Sequence, residues 1–103
     1  MTGKMKIEIR TDGRRAVLTV RSSLSEDRLD VEELVRAFDG LLLQGFTDFA
    51  LDLEDGPYID SYLLGSLVRI LTMITRKGGH LRFIGSSRLK ELLKLTGLWK
   101  EPD

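Results

Sequence analysis

Residues 49–65, FALDLEDGPYIDSYLLG, decide the fold. Phe49 to Leu53 is a short apolar run of strand length. Glu54, Asp55, Gly56 and Pro57 form a loop, because glycine and proline punctuate regular structure. Asp60-Ser61 then opens a strongly apolar helical pattern. An acid and a hydroxyl thus stand side by side where a strand hands over to a helix. In open α/β sheets that edge is where ligands dock. A hydroxyl placed there can be modified without touching the core.

Working towards the N-terminus, Asp30 with Glu33 three residues later resembles a capping box, with Asp in place of Ser or Thr. Val31, Leu34, Val35, Phe38, Leu41 and Leu42 form one helical stripe that should end at Leu43-Gln44-Gly45. Before it, Ser22 to Arg28 is a polar connection. Met5-Ile7-Ile9 alternates with charged residues, and Ala16-Leu18-Val20 answers it across Thr11-Asp12-Gly13. That is an antiparallel hairpin.

Working towards the C-terminus, the second helix is expected from about Ser61 to Arg76, closed by Gly78-Gly79. Leu63, Leu64, Leu67, Leu71 and Ile74 suffice to face the sheet, which leaves Tyr62, Ile70 and Met73 on the flank shared with Ser66. Either another helix covers that flank, or it is an apolar patch beside Ser61 that marks a partner surface. Leu81 to Ile84 is a fourth strand, and Gly85-Ser86-Ser87 is a turn with a hydroxyl cap. Leu89, Leu92, Leu93 and Leu95 line a third helix that Thr96-Gly97 stops, and Leu98-Trp99 is expected to fold back over the core. The order is ββαβαβα: a single small mixed β-sheet of the α/β class covered by helices, its later strands parallel through right-handed crossovers.

Length and composition agree with this reading. At 103 residues, with 42% hydrophobic and 31% charged side chains, the chain suits one globular domain. Sixteen basic residues balance sixteen acidic ones, so no net field favours nucleic acid or an anionic membrane. There is no cysteine, hence no disulfide, thiolate metal site or cysteine nucleophile. The start, MTGKMKIEIR, is polar and shows no secretory signal, and no apolar stretch reaches spanning length. The expectation is a cytoplasmic protein without membrane insertion or nucleic-acid partner.

An enzyme is not expected. Glu54, Asp55 and Asp60 gather carboxylates near one loop, but the single histidine, His80, begins the fourth strand at the opposite edge of the sheet. No nucleophile elbow or phosphate-binding lysine loop is present, and nothing calls for a cofactor or a metal. Asp60-Ser61 carries two readings. In the first, Asp60 caps the helix and Ser61 merely starts it. In the second, Ser61 is phosphorylated: the phosphate brings about −1.5 to −2 charges at pH 7. The positive end of the helix dipole accommodates them in part, while Asp60 opposes them. Ser86-Ser87 could take phosphate by the same argument, though capping explains them. Arg14, Arg15 and Arg21 read as solvated.

LDLEDGPYIDS, LLGSL, KGGHLRFIG and LLKLTGL, in that order, resemble the STAS family of bacterial anti-sigma factor antagonists across nearly the whole of residues 1–103. The resemblance implies phosphorylation of the serine after the aspartate, here Ser61, by a partner kinase that is also an anti-sigma factor. The unphosphorylated form would bind that kinase and release the sigma factor, and a protein phosphatase would restore binding. The partner surface is expected on Asp60, Ser61, Tyr62, Ser66, Arg69, Ile70 and Met73. Where the family has Asp-Ser-Ser/Thr-Gly-Leu-Gly, this chain has Asp60-Ser61-Tyr62-Leu63-Leu64-Gly65, keeping only the second glycine. The Gly-x-Leu-Asp common after the second strand is missing as well, since Arg21 to Asp30 reads RSSLSEDRLD. The alternative is a non-switching STAS scaffold, a stressosome component or transport-system subunit acting by constitutive binding. That reading admits a weak homodimer through Tyr62 and Met73.

Overall fold

The computed structural model describes residues 6–21, 31–54, 61–95 and 97. Within them the chain runs β1 (Lys6–Asp12), β2 (Arg15–Arg21), α1 (Val31–Leu43), β3 (Asp48–Asp52), α2 (Ser61–Arg76), β4 (His80–Ile84) and α3 (Ser87–Leu95). This is the ββαβαβα order, and the hairpin is antiparallel, with Ile9 opposite Leu18. The other pairs are parallel: Leu18 lies opposite Leu51, which lies opposite Phe83. The sheet order is β1-β2-β3-β4, so each strand lies beside its neighbour in sequence.

Alternation along the strands divides the sheet into two unlike faces. Ala16, Leu18 and Val20 of β2, Phe49 and Leu51 of β3 with Leu53 just beyond it, and Leu81 and Phe83 of β4 form one buried cluster. Leu34, Phe38 and Leu41 of α1, Leu63, Leu67, Ile70 and Ile74 of α2, and Leu89 and Leu93 of α3 complete it. All three described helices therefore bury their stripes on the same side of the sheet. Phe38 meets Phe49 edge-to-face, with ring centroids 5.5 Å apart, an arrangement that suits the ring quadrupoles. The opposite face carries charged residues around a centre where Thr19 and Ala50 are buried: Arg15 pairs with Asp48 and Arg21 with Glu8, each at 3.6 Å.

The helix ends follow from their glycines. Gly45 (φ 98°) and Gly78 (φ 79°) take the left-handed conformation after α1 and α2. At each end two amides turn back to the last carbonyls, Gly45 to Leu42 and Phe46 to Leu41, then Gly78 to Thr75 and Gly79 to Ile74. These are Schellman closures, which satisfy carbonyls that the helix leaves free. Gly79 is needed for a second reason. A Cβ there would lie 3.0 Å from the Thr47 carbonyl oxygen and 2.9 Å from the Ile74 side chain.

Two expectations are corrected. Ile70 is fully buried and belongs to the inner stripe of α2 instead of the flank beside it, as the covering-helix alternative requires. Leu63, Leu67, Ile70 and Ile74 are the buried positions of α2, spaced as one helical face, whereas Leu64 and Leu71 are only half-buried. The stripe is therefore centred nearer Ile70 than the leucines suggest, because α1 packs along that side of α2. Leu95 is 83% exposed instead of lining α3, since it follows the last inward position, Leu93. The fourth strand begins at His80, where the sequence places its start. The Asp30 cap, the Ser22 to Arg28 connection, Asp60, Thr96 and the Leu98-Trp99 fold-back lie outside the described residues.

Candidate functional site

The site is built on the handover from β3 to α2. β3 lies between β2 and β4. Its end is marked by a local device: the Asp52 side chain accepts the Glu54 amide at 3.0 Å, an Asx-type turn that directs the chain away from the ladder. The Leu53 amide still donates to the Ile84 carbonyl at 2.7 Å, holding the loop's first residue against β4. Ser61 is the first residue of α2 and is exposed. The C-terminal end of β4 opens into α3 at the same edge. There Ser86 Oγ accepts the Leu89 amide at 3.3 Å, a helix cap as the sequence indicates.

From Ser61 one exposed strip runs along α2. Tyr62 is 64% exposed, Gly65 is open, Val68 is 41% exposed, and Arg69 and Thr72 continue it. Val68 is missing from the sequence-derived set, although it lies two helical turns from Ser61 and so on the same face. Gly65 is informative. Among the described residues, a Cβ placed on it would meet nothing within 4 Å, so none of them requires a glycine there.

The remaining predicted residues divide differently. Ser66 is half-buried and its hydroxyl donates to the Tyr62 carbonyl at 2.8 Å, within the helix. Arg69 reaches α1 and pairs with Glu32 at 3.0 Å, and Lys77 pairs with Asp39 at 2.9 Å further along. Between these ties Val35, Ile70 and Met73 line a groove of about 430 Å³. Met73 is half-buried against the core, and Ile70 forms the groove's floor. The structure thus brings Ser61 and Tyr62 together at the helix start and assigns Arg69, Ile70 and Met73 to the α1–α2 junction. Asp60 lies outside the described residues. Among the described residues no group of carboxylates, histidines or cysteines is arranged to hold a metal. No described helix is long and apolar enough to cross a membrane.

The STAS domain model matches residues 6–102. The chain belongs to the STAS family. The STAS domain also resembles solved structures. It is 26% identical to the protein TM1081, whose structure was determined by NMR, covering 87% of this chain and 72% of that one with a TM-score of 0.66. It is 17% identical to the Bacillus cell-fate determinant SpoIIAA in its phosphorylated form, covering 90% and 85% of the two chains with a TM-score of 0.69. It is 16% identical to an anti-sigma factor antagonist from Mycobacterium paratuberculosis, covering 92% and 80%, again with a TM-score of 0.69. No curated protein matches it. The fold is therefore one that anti-sigma factor antagonists share. STAS domains are non-catalytic binding modules, and this one is a binding module rather than an enzyme.

Proposed function

We propose that this STAS domain is an anti-sigma factor antagonist switched by phosphorylation of Ser61. The free hydroxyl form binds a kinase-type anti-sigma factor. Phosphorylation by that partner ends the binding, and a protein phosphatase restores it. The observation that carries the reading is the position of Ser61, exposed at the first residue of a 16-residue helix. A kinase can reach that hydroxyl without opening the core.

The physics favours a change of surface over a change of fold. A phosphate of about −1.5 to −2 charges sits at the positive end of the helix dipole, where free amides help to hold it. The fold tolerates it, and the partner meets a new charge at the centre of its contact. Tyr62 and Val68 supply exposed apolar area beside it. The open space over Gly65 lets a partner backbone come close. Likeness to a fold solved in a phosphorylated form supports the reading.

The deciding experiment is a phosphosite map and intact mass of the protein purified from its native host under changing conditions. Phosphate on Ser61 whose occupancy follows the conditions is the expected result. An unmodified Ser61 throughout would leave the constitutive scaffold in its place.

A further inference from the structure

A second surface lies away from Ser61. β1 is the outer strand of the sheet, and among the described residues no strand lies on its far side. Its sequence is Lys6-Ile7-Glu8-Ile9-Arg10-Thr11-Asp12, so the outward charges alternate in sign: plus, minus, plus, minus. Edge strands commonly use charge to repel copies of themselves. Alternating signs do the opposite, and one register uses all four charges of the strand. If two β1 strands pair antiparallel about Ile9, Lys6 meets Asp12 of the other copy and Glu8 meets Arg10, twice each by symmetry. Every such pair is of opposite sign.

Neighbouring registers fail. A shift about Glu8 sets Glu8 against itself and Lys6 against Arg10. A shift about Arg10 sets Arg10 against itself and Glu8 against Asp12. Odd registers place the apolar residues of one copy opposite the charged residues of the other. Inside one chain Arg10 stands opposite Val17 and has no ion-pair partner among the described residues. Ile9, on the twofold, is 46% exposed on the helix-bearing side, so the helices leave room beside it.

We propose that β1 is a homodimer edge on which two copies of this domain join their sheets into one, antiparallel about Ile9. The contact is isologous and closes on itself. It replaces free backbone groups of the edge with hydrogen bonds between copies, as in β-strand addition. No residue of β1 belongs to the Ser61 face, so the inference stands independently of the phosphorylation reading.

Sedimentation equilibrium up to about 1 mM protein tests it. The parent chain should self-associate, and either Glu8→Arg or Arg10→Glu alone should weaken this by roughly tenfold or more, since each exchanges two attractive pairs for repulsive ones. An equimolar mixture of the two variants should recover association as a heterodimer. Circular dichroism checks that each variant folds. Should one not fold, Ile9→Cys decides, because the chain has no cysteine of its own. Two thiols at the twofold fall within disulfide reach and should cross-link under mild oxidant, whereas Glu8→Cys should not. A parent that stays monomeric, a dimer indifferent to both charge reversals, or an Ile9→Cys variant that never cross-links overturns the proposal.

Discussion

Ser61 and Gly65 lie one helical turn apart on the exposed side of α2, and they make opposite demands on the protein. Ser61 is a place where a group can be added at little cost to folding. Ser61→Ala should keep partner binding and abolish phosphorylation. Ser61→Asp should weaken binding to the cognate kinase by about tenfold or more, equal to about 1.4 kcal/mol or more. Its unfolding free energy should stay within about 0.5 kcal/mol of the parent, as surface substitutions usually do. Calorimetric titration and denaturant melts separate the two effects, and an unweakened Ser61→Asp complex would sink the electrostatic switch. Gly65 is a place where a group is left out at some cost. A glycine inside a helix costs about 0.5–1 kcal/mol relative to alanine, and here no packing among the described residues requires it. Gly65→Ala should therefore stabilise the isolated domain by about that amount while weakening the partner complex. A stabilised variant that bound as well as the parent would remove the partner from the explanation of that glycine.

At the scale of elements, α2 serves two surfaces. Its inner face packs Leu63, Leu67, Ile70 and Ile74 into the core, and its outer face carries Ser61, Tyr62 and Val68. Ile70 belongs to the first. Ile70→Ala should cost about 2–5 kcal/mol in a urea melt and act on binding only through stability. Arg69 ties α2 to Glu32 of α1 at 3.0 Å, but both side chains are largely exposed, and such pairs contribute about 0–1 kcal/mol. Arg69→Ala should accordingly leave the fold intact, and any loss of partner affinity would report contact. In β2, Thr19 is buried and its hydroxyl lacks a hydrogen-bond partner among the described residues. An unpaired buried hydroxyl is costly, and valine keeps its shape and suits a strand. Thr19→Val should raise stability by about 1 kcal/mol. A fall in the melting midpoint would show that the hydroxyl has a partner after all.

For the whole molecule, the described helices cover one face of the sheet, and the other carries charged side chains around the buried Thr19 and Ala50. The sequence by itself determined the elements. Period-two alternation marked β1 and β2, the apolar run marked β3, and left-handed glycines marked the ends of α1 and α2. The position of Ser61 at the head of α2 was legible for the same reason, since turn chemistry and a change of period are local. What lies over each apolar residue was not local. Several faces of α2 are apolar enough to be the inner one, and the leucines point to a stripe that omits Ile70. Only packing against α1 and the sheet selected the face that was buried, which includes Ile70 and leaves Leu64 half-exposed. The strand order, with β1 outermost among the described strands, and the space the described residues leave over Gly65 were decided the same way. Periodicity is a property of neighbouring residues, whereas burial depends on segments that meet only when the chain has folded.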